Sequence, residues 1–342
     1  MSKKNSSVNL KNGFKDFKDL SNIFVDFKNK LNLLNKKSYA VAVSGGPDSL
    51  ALVALSQAYL HKKKTKFRYV LVDHNIRKNS SKEAKQVKKL LKKNKINLTV
   101  ILNKKKITKN IQGLARNTRY EILSDYCKRN NIDTLLTAHN LEDQVETFFI
   151  RLSRGSGLKG LSSMNFLSKL NNKINLCRPL LNTKKKFLIK ISKNIFGRYI
   201  KDPSNKNIKF LRTKVRKLKK PLEKSGIEYD QIIKSINNLA ISKATLDEHL
   251  KKIFKHTIKK TRKEVLLNFK KFKKFNIEIK IALINESIKK LKNNYYNPRS
   301  KKVENLIKNL EKRNFKRSTL SGCVFILRKD NLCLKMEKSI TI

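Results

Sequence analysis

Six consecutive residues, Ser44-Gly45-Gly46-Pro47-Asp48-Ser49, bring together what a phosphate-binding turn needs. The apolar run Tyr39–Val43 precedes them and a second run, Leu50–Leu55, follows. This pattern predicts a strand, a tight glycine turn and a helix start. Such a corner aims backbone N–H groups and a helix N-terminus at one point, where an anion is stabilised. Ser44, Gly45 and Gly46 offer backbone donors at close range, and Ser49 adds a hydroxyl. The segment lacks the Gly-Lys-Ser/Thr ending of a Walker loop. Asp48 is out of place beside phosphates, which repel a carboxylate. A bridging Mg²⁺ removes the conflict, because hard cations take carboxylate and phosphate oxygens together. The alternative role for Asp48 is to match the positive end of the helix dipole.

Further polar groups stand at other strand–helix corners. His139 and Asp143 are four residues apart, at a predicted strand end and in the first turn of the next helix. Asn140 with Asp143 also has the form of a helix cap. Arg116 and Arg119 lie three apart on a predicted helix, hence on one face, and guanidinium groups bind phosphates bidentately. Arg151 and Arg154 occupy a helix end beside the turn residues Gly155 and Gly157.

Strand–helix alternation must position these groups. Strands are expected at Tyr39–Val43, Phe67–Val72, Leu98–Leu102 and Thr134–Thr137. Helices are expected at Asp48–Leu60, Ser81–Lys93, Gly113–Lys128 and Leu141–Leu152. That order implies an α/β domain with a parallel sheet whose ligands lie beyond the carboxyl ends of the strands. The cluster Ser44–Ser49, the cluster Asp73, His74 and Arg77, and the pair His139 and Asp143 all fall at such ends.

The 342 residues include 82 Lys and Arg against 25 Asp and Glu, a formal net charge of +57. A field of that sign favours a polyanionic partner, although Lys and Asn are frequent everywhere, as an AT-biased genome would produce. No apolar run is long enough to span a bilayer and no secretory signal is visible, so a cytoplasmic protein without a membrane partner is expected. Cys127, Cys177, Cys323 and Cys333 form no C-x-x-C pair, which argues against a zinc knuckle.

The phosphate loop resembles that of the N-type ATP pyrophosphatases, which split ATP into AMP and pyrophosphate. Five further segments resemble the tRNA(Ile)-lysidine synthases. They are Val72-Asp73-His74-Asn75-Ile76-Arg77, Ala115–Tyr120, Leu136–Thr147 with its continuation Arg151–Leu161, Arg178–Leu181 and Asp202–Asn205. The likeness covers about residues 38–222. Asn140 departs from the family's usual second histidine, Glu142 from aspartate, Lys201 from an acid and Thr213 from asparagine. The resemblance implies a PP-loop fold of the adenine nucleotide alpha hydrolase type, with ATP as co-substrate and Mg²⁺ as cofactor. It also implies a ligase that adenylates the wobble cytidine of tRNA(Ile) with a CAU anticodon and attaches free L-lysine. Under it Asp48, Arg119, His139 and Asp143 are catalytic, with the individual roles of His139 and Asp143 open. Arg119 would meet the adenylated intermediate or the tRNA. Asp73, His74 and Arg77 would line the adenine or lysine pocket, and Arg116, Arg151, Arg154, Arg212 and Arg216 would contact RNA or substrate.

The organisation expected is an N-terminal extension at 1–35 with one helix, the PP-loop domain at 36–224, a linker at 225–241, and a smaller α+β module for substrate and tRNA at 242–342. The runs Ser321–Leu327 and Leu332–Met336 predict a β-hairpin in that module. Oligomeric state is open, a homodimer included. The rival readings are a tRNA thiolase, a small-molecule synthetase with the same loop, and an RNA-binding protein on a relic ATPase fold.

Overall fold

The computed structural model describes residues 18–60, 65–75, 79–103, 111–200, 211–292, 298–312 and 314–337. The chain divides into two compact units, Met1–Ala240 and Ile241–Ile342. Arg77 and the segment 202–205 lie outside the described residues.

The first unit runs α1 (Lys18–Leu34), β1 (Ser38–Val43), α2 (Pro47–Leu60), β2 (Lys66–Asp73), α3 (Ser80–Lys93), β3 (Leu98–Leu102) and α4 (Ile111–Arg129). It continues with β4 (Thr134–Leu136), α5 (Leu141–Leu152), α6 (Leu158–Leu161), β5 (Leu167–Lys169), β6 (Asn175–Cys177), α7 (Lys185–Phe196), α8 (Leu211–Lys217) and α9 (Lys219–Lys224). The strands form one sheet in the order β3-β2-β1-β4-β6-β5. The first five are parallel and β5 adds an antiparallel edge. From β1 the chain moves outward to β2 and β3, then crosses to β4 on the other side of β1. The crevice of such a sheet opens where the order reverses, beyond the carboxyl ends of β1 and β4.

Helix α2 fixes the phosphate loop. Pro47 is its first residue, where a missing N–H costs nothing and the fixed φ suits a helix. Every residue from Ser49 to Ser56 is buried, so α2 is apolar around its whole circumference and sits inside the core. Each fully buried Leu or Val there is worth about 1.5–3 kcal/mol. Leu20, Phe27 and Leu31 of α1 join the same core.

The loop between β1 and α2 passes close to its neighbours. Gly45 has φ +79°, and a Cβ built on it would stand 2.4 Å from Val87 Cγ2 of α3 and 3.4 Å from Ile200 Cγ1. Its carbonyl accepts the Ile200 N–H at 2.9 Å. Only glycine satisfies both the left-handed backbone and the approach of α3.

Helix α10 (Tyr229–Thr257) carries the chain from the first unit into the second and runs through much of the stretch expected as a linker. The second unit holds β7 (Ile258–Lys260), β8 (Val265–Asn268), α11 (Phe269–Lys274), α12 (Ile277–Leu291) and α13 (Ser300–Leu310), then β9 (Arg317–Leu320), β10 (Cys323–Arg328) and β11 (Asn331–Met336). Its sheet is antiparallel, ordered β7-β8-β11-β10-β9. The predicted hairpin is present as β10–β11, closing at the pair Arg328 and Asn331. Phe272, Leu283, Ile284, Val303, Phe325 and Leu334 form its core with other apolar residues.

Gly45→Ala is expected to destabilise the first unit by more than ~1 kcal/mol, because the φ penalty and the Val87 clash add. Adding Val87→Ala should restore part of the loss, since it removes the clash and leaves the φ. Thermal melts of the two variants and their parent check this.

Candidate active site

Four chain segments leave adjacent strands side by side along the carboxyl edge of the first sheet. His74 follows β2, Ser44 follows β1, His139 comes shortly after β4, and Arg178 follows β6. Strands β4 and β6 stay locked past their ends, because the Thr137 N–H donates to the Cys177 carbonyl at 2.9 Å.

The phosphate loop is held from within. Ser49 Oγ accepts the Ser44 N–H at 3.1 Å and donates to the Gly46 carbonyl at 3.0 Å. Ser44 Oγ lies 3.2 Å from the same hydroxyl. Ser49 therefore shapes the loop and is buried. The first N–H groups of α2 have no intrahelical partner, as in any helix, and remain as donors at the loop.

Asp48, in the first turn of α2, is 24% exposed at its side chain, and Lys185 Nζ lies 3.7 Å from Oδ2. Its other oxygen, Oδ1, is buried with no hydrogen-bond partner. Burial pushes the carboxyl up to about 6, against the pull of Lys185 and with help from nearby Asp143. An orphaned carboxylate oxygen beside a phosphate loop fits a hard divalent cation.

His139 is mostly buried, and Thr137 Oγ1 lies 3.0 Å from its Nδ1. Burial and the charges of Arg116, Arg178, Arg119 and Arg212 hold its imidazole well below the ordinary range, so it is neutral at pH 7. Asp143 and Asn140 cap each other's backbone N–H groups at 3.1 and 2.9 Å. Asp143 Oδ1 also accepts Arg212 Nη2 at 3.0 Å.

The structure adds a residue that the sequence pattern did not single out. Glu146, one turn beyond Asp143, is 2% exposed at its side chain and receives both Arg212 Nε and Arg216 Nε at 2.7 Å. The two arginines expected to meet RNA thus face carboxylates of α5. The signal was present in the spacing: Asp143 and Glu146 are three apart on one helix face. Arg151 is likewise turned inward, donating to the carbonyls of Gly160 and Ser163 at 2.7 and 2.8 Å. Arg154 is exposed.

Arg116 and Arg119 of α4 both stand over the Tyr120 ring, at 5.2 and 5.5 Å from its centroid. Arg119 Nε is buried without a partner, and burial lowers that group's pKa. His74 is lowered by burial and by Arg119, and its Nδ1 is buried and unpartnered. Beside it Asp73 accepts Ser81 Oγ at 2.5 Å and the Asn75 N–H at 3.0 Å. Burial raises Asp73, and these hydrogen bonds outweigh it and hold the carboxyl below its ordinary range.

A parallel sheet carrying a glycine phosphate loop at its switch point, with an orphaned carboxylate and a neutral histidine beyond the adjacent strand, defines a nucleotide-binding domain of the PP-loop class. The ATP_bind_3 family, described as a PP-loop domain, matches residues 18–222. The tRNA(Ile)-lysidine synthase of Wolbachia pipientis wMel is 34% identical over 318 residues, covering 90% of this chain and 74% of that protein. That of Rickettsia felis is 32% identical over 310 residues, covering 87% and 69%. This chain belongs to the tRNA(Ile)-lysidine synthase family. Among solved structures the U34-tRNA thiolase NcsA from Methanococcus maripaludis with its [4Fe-4S] cluster shares the fold, with a TM-score of 0.55 and 18% identity over 64% of this chain and 79% of that one.

Because Asp48 titrates near 6 in the folded metal-free protein and near 3.9 unfolded, its ionised form opposes folding. Stability falls as pH rises through that window, and the deficit is complete above it. Asp48→Asn should therefore stabilise the metal-free protein at about pH 8 by up to ~3 kcal/mol, and the gain should vanish near pH ~4. Denaturation of both proteins at the two pH values measures it.

Proposed function

We propose that this protein uses ATP to adenylate the C2 oxygen of the wobble cytidine in a tRNA(Ile) with a CAU anticodon, and then joins free L-lysine to C2. The cytidine oxygen attacks the α-phosphorus and pyrophosphate leaves. The ε-amine of lysine next attacks C2, AMP leaves with that oxygen, and the amine gives up a proton. The observation that carries this reading is the placement of the Ser44–Ser49 loop and His139 beyond the adjacent strands β1 and β4 of a chain in the lysidine synthase family.

Each group then has a task. Backbone donors of Ser44, Gly45 and Gly46 and the start of α2 hold the pyrophosphate end of ATP. Asp48 would bind Mg²⁺, which supplies charge neutralisation at the phosphates. Neutral His139 has one ring N–H to give to an oxygen of the reacting nucleotide. Arg119 meets the adenylated intermediate, where preorganised positive charge stabilises developing anion. Asp143, with Asn140 and Arg212, keeps the start of α5 rigid beneath His139. The second unit, an antiparallel sheet with helices, is the tRNA-holding module. Among the described residues no helix is long and apolar enough to cross a membrane, and we place the reaction in the cytoplasm.

The thiolase reading has less support. Cys127 and Cys177 are fully buried, and burial pushes both thiols up to about 12, which disfavours the thiolate that sulfur transfer or cluster ligation needs.

Incubation with ATP, Mg²⁺, labelled lysine and a CAU-anticodon transcript should transfer label into RNA and release AMP and pyrophosphate. Omitting lysine should leave pyrophosphate release possible and label transfer absent. Label-free RNA from active, ATP-hydrolysing protein would sink the proposal. In the same preparation tRNA affinity should fall with salt, by roughly tenfold or more between low and physiological ionic strength.

A further inference from the structure

Three guanidinium groups lie close enough to His139 to lower its pKa, and none has an acidic partner among the described residues. Arg116, Arg119 and Arg178 make no ion pair among the described residues, while Arg212 and Arg216 nearby are neutralised by Asp143 and Glu146. Arg178, Arg116 and Arg119 all act on His139, and Arg116 also acts on both Arg119 and Arg178. Like charges gathered in a partly desolvated crevice repel one another unless an anion joins them.

Arg178 shows where that anion binds. Only 8% of the residue is exposed. Its Nη1 is fixed by the Asn165 carbonyl and by Ser168 Oγ, both at 2.9 Å. Its Nε is buried and unpartnered. The guanidinium is therefore anchored from one side, and its Nε–Nη2 edge is left for a second ligand. That edge is the one that takes a phosphate through two parallel hydrogen bonds. Arg119, whose guanidinium stands over Tyr120, has a second buried, unpartnered Nε.

We infer that Arg178, with Arg116 and Arg119, forms a binding site for a phosphodiester of the RNA substrate next to the reacting nucleotide. This rests on the proposed function and extends it to a residue with no role so far. Position selects RNA over ATP. The loop that takes the pyrophosphate end lies beyond β1, and Arg178 lies beyond β6, two strand positions away, or ~10 Å. Pyrophosphate leaves in line with the attacking oxygen, so the acceptor and its backbone approach from the side opposite the loop. Arg178 lies on the β4–β6 side of the loop, with His139 between them.

The test compares Arg178→Gln and Arg116→Gln with the parent protein by equilibrium binding of the CAU-anticodon transcript across a salt series, and by calorimetric titration with ATP. Each variant should bind RNA roughly tenfold more weakly, with a salt slope shallower by about 0.7–0.9, while ATP binding stays within about twofold. Loss of ATP affinity with RNA binding intact would assign the anion to ATP and overturn the inference. Unchanged binding of both ligands would also overturn it. Arg178→Gln also removes contacts to Asn165 and Ser168, so a thermal melt accompanies it. If that variant does not fold, Arg116→Gln decides alone, because its side chain is exposed and its hydrogen bond and ring contact among the described residues are to Tyr120. Failure of the parent protein to bind the transcript would instead strike at the proposed function.

Discussion

The absence of a side chain at Gly45 is the constraint on which the site depends. The turn out of β1 must reverse direction in a left-handed conformation while α3 presses on it through Val87. A methyl group there would move either the turn or the helix. The buried helix α2 makes the constraint rigid, since it is apolar on all sides and cannot shift to relieve a clash. The direction in which the loop points its donors is thereby set by packing in the core together with the loop's own hydrogen bonds through Ser49.

Charge is distributed on the same principle. The chain is strongly basic as a whole, yet the site depends on which charges are matched and which are left over. Glu146 is buried and takes two arginines at once, which fixes α8 against α5. Asp143 is shared between a helix cap and Arg212. These pairs are structural, and breaking one would leave a desolvated charge alone. Asp48, Arg119 and Arg178 are the opposite case. Their orphaned atoms carry a desolvation penalty of about 1–3 kcal/mol each, which a bound cation or phosphate would remove. A binding site of this kind is partly destabilised when empty, and that is what gives its ligands differential affinity.

The neutral state of His139 follows from this arrangement. An imidazole ringed by arginines and shielded from water resists a further proton. It can serve as a hydrogen-bonding group at neutral pH without changing charge through the reaction. His74, lowered by burial and by Arg119, is in a similar environment on the other side of β1. The crevice therefore combines fixed charges on arginine with neutral histidines, which supply hydrogen-bond direction rather than charge.

Much of this was legible in the sequence because its signals are local. The Gly-Gly-Pro turn between two apolar runs dictates a strand, a loop and a helix beginning at Pro47, and the structure has each of them. The Asn140–Asp143 spacing encodes a helix cap, and the cap is present. The short strands β5, β7, β8 and β9 went unread, because three or four residues carry too little periodicity to stand out, and their pairing partners lie far away or across a turn. The fates of the arginines were also beyond it. Arg119, Arg178, Arg212 and Arg216 are one residue type with one set of donors. Which of them meets Glu146 and which is left facing the crevice is fixed by contacts between residues as many as 70 positions apart in the chain. Local sequence determined the glycine turn between β1 and α2; only the tertiary fold decided which positive charges are matched by carboxylates and which are left over, because charge matching is a property of distance in space.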